Sequence, residues 1–560
     1  LEEKLAHLIE DRPAGDIPRL QVLGLFRDAL AAGRAEIRRR FEDPGPLRND
    51  GISVMVATSF LMDQLIRVLF DFADRYAYPA ANPSAAERLG VVATGGYGRG
   101  ELAPLSDIDL LFLRPYKQTP RGEQIVEFML YLLWDLGLKV GHATRTVDES
   151  IRYAERDQTI RTALLEARFL TGQHDLYALF ESRFDKEIVI GTAAEFVEAK
   201  LAEREQRVTR AGTSRYLVEP NVKDGKGGLR DLNTLFWISK YAYRVKLPSE
   251  LVAAGLFDDE EARLFERCED FLWRVRSHMH FATNRAEERL SFDMQRAIAE
   301  RMGYKSHGGL SSVERFMKRY FLVAKDVGDL TAIVCSALQT RHTQKQPILR
   351  RMLESLKRHH AAIPDTRDFV LVGDRISIAR ADIFIKDPVN LLRLFWFASQ
   401  LDRMIHPDAT RLVTQSLRLV TSELRKSEEA NRLFVEILNS RTSPETVLRR
   451  MNETGLLGRF VPQFGRIVAM MQFNMYHHYT VDEHLLRSIG VLAQIEAGQH
   501  AAELPVAHEI IPMIRNRKIL YVALFLHDIA KGRPEDHSIA GARIARRFCP
   551  RLGLSPADTE

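Results

Sequence analysis

Cysteine is scarce: only Cys268, Cys335 and Cys549 occur in 560 residues. They lie far apart and match no metal-ligand spacing, which argues against a disulfide framework and fits a reducing compartment. Long apolar runs are missing too. The longest, Ile519 to Leu526, is far too short to cross a bilayer, and no secretory leader pattern opens the sequence. A cytoplasmic protein with no membrane contact is expected. There is no large excess of charge: 80 basic against 75 acidic residues leave +5. That is too little to drive binding to nucleic acid or anionic membrane. What is present is an ordinary soluble composition, 45% hydrophobic and 28% charged, with length for roughly three to five domains. The chain starts at Leu1 and stops after Glu560 without a closing element, so a fragment of a longer protein is expected.

Patterning divides the chain into five expected segments. Residues 1–88 read as helices, with Leu20, Leu23, Phe26, Leu30 and Ile37, then Leu61, Leu65, Leu69 and Phe72, at helical spacing. Pro79, Asn82 and Pro83 break that pattern. Residues 89–150 read as an α/β unit: strand Leu89 to Thr94, a glycine cluster, strand Asp107 to Leu113, helix Ile125 to Leu136, strand Leu138 to Val147. Residues 151–340 read as long helices with one glycine-rich insert. A polar stretch, Thr340 to Pro347, reads as a linker that opens segment 341–465. There Phe369 to Val372 and Arg375 to Ile378 flank Gly373-Asp374, a hairpin turn with glycine first. Residues 466–560 read as helical. The expected fold class is multidomain and mostly α, with a small α/β domain and an all-α domain at the C-terminal end.

The first chemical pattern is Val91-Val92-Ala93-Thr94-Gly95-Gly96-Tyr97-Gly98-Arg99-Gly100-Glu101, then Ser106-Asp107-Ile108-Asp109-Leu110. Glycines after a strand let backbone N–H groups approach phosphate oxygens. Asp107 and Asp109 sit two apart on a predicted strand, and a period of two puts both carboxylates on one face. Two hard oxygen ligands side by side suit Mg²⁺ carried by a nucleoside triphosphate. A dinucleotide fingerprint is excluded because Pro104 and a strand follow where a helix is required. A phosphate loop is excluded because Glu101 follows Gly100. Without its partner, either half reads as a plain turn or a pair of solvated aspartates.

This pattern resembles the polymerase-β type of nucleotidyltransferase. The resemblance implies Gly95 and Gly96 at the triphosphate, with Arg99 and Ser106 beside them, and Asp107 and Asp109 at Mg²⁺ or Mn²⁺. Many members carry a third carboxylate on a later strand. Lys139 to Val147 offers none, so that position stays open, with Asp148 and Asp231 as substitutes.

Glu219 to Asp231 interrupts the helices with Lys223, Lys226, Arg230 and three glycines. Such a loop could clasp phosphates; alone, it reads as a flexible surface loop with Asp231 free to cap the next helix. Val222 to Asp231 resembles a motif of the uridylyltransferases that modify the regulatory protein PII. Leu272-Trp273-Arg274-Val275-Arg276 and Arg285 to Asp293 resemble the same family. Read from spacing alone, both are helices with a charged face and carry no catalytic assignment.

The last pattern is His477-His478-Tyr479-Thr480-Val481-Asp482-Glu483-His484, then His527-Asp528 closing an apolar helix, Lys531, and Asp536-His537. Thr480 and Glu483 read as a capping box. A buried His-Asp pair is costly unless paired or metal-bound, and imidazole with carboxylate suits a divalent metal that acidifies water. His477 and His478 read more simply as hydrogen-bonded core residues. The pattern resembles the HD phosphohydrolases. The resemblance implies His484, His527 and Asp528 on the metal, His537 at a second metal or the phosphate, and Lys531 against phosphate charge. The final HD aspartate is expected beyond Glu560.

Transferase pattern first and HD pattern second is the reverse of the alarmone synthetase/hydrolases. CCA-adding enzymes usually follow the glycine turn with Arg-Asp, where this chain has Arg99-Gly100. The whole resembles the PII uridylyltransferase/uridylyl-removing family. That resemblance implies UTP as substrate, PII as partner, no nucleic acid, and glutamine as effector through C-terminal domains not in this chain. A different transferase, acting on glutamine synthetase or tRNA, and a non-catalytic nucleotide-sensing regulator are the alternatives.

Overall fold

Strands β1 (Gly90–Thr94) and β2 (Ile108–Arg114) are apolar almost throughout because both their faces are covered. In the computed structural model, which describes residues 1–10, 12–13, 16–43, 50–80, 84–210, 217–344, 360–364, 366–473 and 479–560, they form a four-stranded sheet with β3 (Val140–Thr146) and β4 (Arg168–Gly172), in the order β3-β2-β1-β4. The β1/β2 and β1/β4 pairs are antiparallel and β2/β3 is parallel. Side chains alternate across the sheet. Val91, Ala93, Ile108, Leu110 and Phe112 enter one core; Val92, Leu111 and Leu113 enter another. By that alternation Asp109 falls on the second face.

The chain has two compact units, Leu1–Thr213 with Asn221–Leu290, and Ser214–Pro220 with Ser291–Glu560. In the first, α1 (Glu2–Ile9), α2 (Arg19–Glu42) and α3 (Gly51–Phe72) precede the sheet. The buried stripe of α2 is Val22, Phe26, Leu30, Ile37 and Phe41; Leu20, expected inside, is 83% exposed because it sits a quarter-turn off that stripe. The stretch Gly51–Ala77 is long and apolar enough to cross a membrane, but half of it is buried. It behaves as a core helix: Asp50 caps it through the Ser53 N–H, and Gly51 packs on Asp270 and Arg274.

After the one-turn α4 (Gly95–Gly98) come α5 (Pro120–Asp135), α6 (Val147–Arg156), α7 (Gln158–Leu165), α8 (His174–Arg183), α9 (Ala193–Arg210), α10 (Leu229–Tyr243) and α11 (Asp259–Thr283). The expectation of helices alone from residue 151 is corrected by β4, a five-residue strand that pairs, among the described residues, with β1 alone. Its apolar content is too short to show a period.

In the second unit, α12 (Phe292–Arg301) and α13 (Ser312–Gln344) lead to a sheet of β5 (His360–Ala362), β6 (Phe369–Val372), β7 (Arg375–Ile378) and β8 (Met404–Ile405). The linker reading of Thr340 to Pro347 is corrected up to Gln344, which is still helical; Pro347 lies outside the described residues. The hairpin is found as expected, with Val372 opposite Arg375 and Gly373 at φ +65°. Among the described residues the remainder is helical apart from β8: α14 (Asn390–Leu401), α15 (Glu428–Leu438), α16 (Pro444–Glu453), α17 (Val481–Glu496), α18 (Arg517–Leu526) and α19 (His537–Phe548) are its longer elements. Phe434, Phe464 and Phe525 centre their core, the last two rings stacked at 5.4 Å.

Candidate functional sites

The antiparallel register sets Asp109 opposite Thr94, and the parallel register sets it opposite Gly141. The glycine turn therefore begins beside a carboxylate fourteen positions later in the chain. Two glycines make room for it. Gly95 has φ +58°, and a Cβ there would lie 3.1 Å from Asp109 Oδ2. A Cβ on Gly141 would lie 2.3 Å from Asp109 Oδ1, closer than any real contact. Asp107 lies one residue before β2 and is exposed; Asp109 is partly buried. Both line a cleft of about 690 Å³ together with Gly95, Gly96, Ser106, Lys223 and Arg230.

The insert is no loose loop. Asn221 Oδ1 accepts the N–H groups of Lys223 and Asp224 at 3.0 and 2.6 Å, and the Leu229 and Arg230 N–H groups return to Val222 and Lys223 carbonyls at 3.0 and 2.8 Å. Asp231, fully buried, accepts from Arg204 at 3.1 Å, from Arg207 and from the Gly227 N–H at 2.9 Å. It is thus tied to α9 and to the start of α10. Asp148 pairs with Arg183 on the surface. Neither is among the residues lining the cleft, and Lys226 is not among them either.

Charge is sorted within the cleft. Burial, then the neighbouring Asp107, push the Asp109 carboxyl above its usual range, with Lys223 opposing. Burial, then Arg276 and Arg230, push the Lys223 ammonium down. Crowded carboxylates are relieved by a divalent cation and crowded ammonium and guanidinium groups by a polyanion, so the donor set fits a metal–triphosphate.

Arg99 lines the cleft with its charge already engaged: Nε lies 2.8 Å from Glu101 and 3.4 Å from Glu166, and the guanidinium sits 5.5 Å from the Trp237 ring. Reasoning from sequence missed Trp237, Lys200 and Asn233, and gave Trp273 and Arg276 no role, yet all five line this cleft. Trp273 and Arg276 stand three apart on one helix face, a signal that was present but looked like an ordinary charged stripe.

In the second unit α18 ends at His527. Its Nδ1 lies 2.7 Å from the Leu524 carbonyl, to which it donates, so that in the neutral ring Nε2 carries the lone pair. That Nε2 is 3.3 Å from His484 Nε2 and 3.6 Å from Asp528 Oδ2; His484 to Asp528 is 3.8 Å. A cation about 2.1 Å from each nitrogen in tetrahedral geometry spans such a separation, so the trio fits a divalent metal. Among the described residues it is the one grouping of His, Cys, Asp and Glu of this kind. Lys531 reaches Asp528 at 2.8 Å and Gln472 at 3.0 Å. His537 opens α19, capped by Asp536, and stands outside the trio. His477 and His478 lie outside the described residues.

The capping box at Thr480 is corrected. Thr480 is the N-cap of α17 but makes no side-chain cap bond; Glu483 turns instead to Arg449, accepting at 2.6 Å on both oxygens. A charge-assisted pair outcompetes the local cap.

A family model described as GlnD PII-uridylyltransferase matches residues 195–335, one described as the third domain of uridylyltransferase GlnD matches 369–460, and one described as an HD domain matches 481–559. The bifunctional uridylyltransferase/uridylyl-removing enzyme of Bradyrhizobium diazoefficiens is 61% identical over 504 residues, which are 89% of this chain and 54% of that protein. The enzyme of the same description from Nitrobacter winogradskyi is 60% identical over 504 residues, 90% of this chain and 54% of its own length. The chain thus spans about half the length of the curated relatives it matches. Domains of these two kinds imply divalent-metal use. In sequence and in domain order, the chain carries matches to the GlnD uridylyltransferase and HD domains and is similar to the bifunctional uridylyltransferase/uridylyl-removing enzymes.

Proposed function

We propose that this chain transfers the uridylyl group of UTP to a tyrosine of PII at the first site and hydrolyses the product at the second. The observation that carries the reading is the single cleft lined by Asp107 and Asp109 together with Lys223 and Arg230. Asp107 and Asp109 hold Mg²⁺ or Mn²⁺, the backbone at Gly95 and Gly96 receives phosphate oxygens, and Lys223 and Arg230 offset their charge. The tyrosine oxygen bonds to the α-phosphorus as the bond to pyrophosphate breaks. Catalysis is positioning and charge neutralisation. His484, His527 and Asp528 hold a divalent metal at the second site, with His537 a candidate for a second metal or the phosphate. Lys531, bonded to Asp528, orients that carboxylate and stands near enough to meet phosphate charge. When bound, the cations neutralise phosphate and acidify water.

The test is transfer of label from α-³²P-UTP to PII, run beside the other three nucleotides, followed by release of UMP. Label that reaches PII from UTP in preference to the others supports the reading. No label on PII, or label only on glutamine synthetase or tRNA, refutes it.

A further inference from the structure

Two motifs remain without a role in this chemistry, the Trp273–Arg276 stretch of α11 and the segment around Glu288. They meet behind the cleft. The Glu288 carboxylate accepts from Arg276, Nε at 3.1 Å to both oxygens and Nη2 at 2.6 Å. The same Nη2 reaches Ser106 Oγ at 3.3 Å. Four residues along α11, His280 Nδ1 accepts the Leu105 N–H at 3.3 Å, which puts its proton on Nε2, 3.7 Å from Glu288 Oε1. Arg276 is 6% exposed and His280 not at all. Glu288 also acts through its backbone: its carbonyl accepts the Val222 N–H at 2.9 Å, and Arg289 bridges to Asn221. One residue thus ties Leu105 and Ser106, which precede Asp107, to Val222, which precedes Lys223.

We propose that Glu288 is a positioning residue of the transferase site, which through Arg276 and His280 holds the Asp107 loop and through its backbone holds the Lys223 loop, so that carboxylates and ammonium meet the metal–triphosphate together. This rests on the transferase reading above. With its guanidinium neutralised by Glu288, Arg276 orients the aspartate loop and does not act as a free phosphate ligand. Burial pushes the His280 imidazole below its usual range, in keeping with a neutral ring whose Nδ1 accepts the Leu105 N–H while its Nε2 faces Glu288 at 3.7 Å. Groups that orient metal ligands in this way typically contribute about ten- to a hundredfold to metal affinity or activity.

The experiment compares Glu288→Gln, Glu288→Asp and Ser106→Ala in this chain, following label transfer from UTP to PII over a range of Mg²⁺. Glu288→Gln is expected to lower kcat about tenfold or more and to raise the half-saturating Mg²⁺ about fivefold, with the KM for PII within about twofold. Glu288→Asp recovers most of the loss. Ser106→Ala, which cuts only the link from Arg276 and leaves the buried pair intact, shifts the Mg²⁺ dependence in the same direction by about twofold to fivefold, and decides the matter if Glu288→Gln fails to fold. Unchanged kcat and Mg²⁺ dependence in the folded variants overturns the inference. So does a lower KM for UTP in Glu288→Gln, which would mark Arg276 as a phosphate ligand restrained by Glu288. If the unmodified chain transfers nothing, the functional reading falls instead, and Mn²⁺ titration in the presence of UTP still decides whether Glu288→Gln weakens the metal site.

Discussion

The two sites hold charge in opposite ways. The first cleft draws on residues from Gly95 to Arg276 and holds three of its cations inside: the side chains of Arg99, Arg276 and Lys200 are 8%, 7% and 2% exposed. The HD trio comes from the ends of two helices, and its His484 and His527 side chains are 44% and 37% exposed. Low dielectric strengthens charge interactions in the first, so the affinity for a polyanion proposed for it would rest on buried networks. In the second, the proposed metal would depend on where three lone pairs point, which solvent would screen little because metal–ligand bonds are short. A substitution behind the first cleft therefore reaches the chemistry; one behind the second acts only by moving a ligand.

The largest effects should separate the two sites outright. Asp107→Asn is expected to cut uridylyl transfer by at least about a hundredfold and to leave hydrolysis of uridylyl-PII within about twofold. His527→Ala should do the reverse. Rates of both reactions measured on both variants check this, and equal loss of both activities in either variant breaks the comparison. Next in size is Gly141→Ala. Position 141 is exposed on the edge strand, yet its Cβ would press on Asp109 Oδ1. Displacing a reacting group by about 1 Å can cost on the order of a hundredfold, so transfer should fall about ten- to a hundredfold while the unfolding midpoint scarcely moves. A stable, fully active variant would show that Asp109 has slack.

Two buried aspartates give the smallest and most diagnostic effect, because their pH signs are opposite. Burial raises the pKa of Asp231, but Arg204, the Gly227 N–H and Arg207 outweigh it, and the carboxyl ends below its usual value. Its stabilisation is present above the ordinary aspartate pKa and is lost as pH falls below it. Asp482 accepts from Asn452 at 3.0 Å and from the Ala469 N–H at 3.1 Å, yet burial wins and pushes it up to about 6. Its stabilisation is present below the unfolded pKa and is lost as pH rises through about 6. Asp482→Asn should therefore gain stability relative to the parent between pH 5 and about 7, and Asp231→Asn should show no such gain. Unfolding curves of the variants at several pH values measure the difference; parallel pH profiles for Asp482→Asn and the parent would remove the burial argument.

Much of each candidate site was legible because its residues lie close together in the chain. Asp107 and Asp109 two apart, glycines after an apolar strand, and His527-Asp528 at the end of an apolar helix each show in a window of a few residues. The hairpin at Gly373 was legible for the same reason. β4 was not: five residues paired with a strand about eighty positions earlier leave no periodic trace. The capping box at Thr480 misled because Arg449, thirty-four residues from Glu483, offers a stronger partner than the helix end does.

The sequence alone settled which residue types carry charge, where glycine frees the backbone and which faces of helices and strands are apolar, since these follow from covalent structure and local sterics. Only the tertiary structure decided that Glu288 and Ser106 share Arg276, that Asp231 belongs to Arg204 and Arg207, and that Gly141 leaves room for Asp109. Those pairings cross tens to more than a hundred residues, and their energies arise from burial and geometry, which no local stretch of the chain contains.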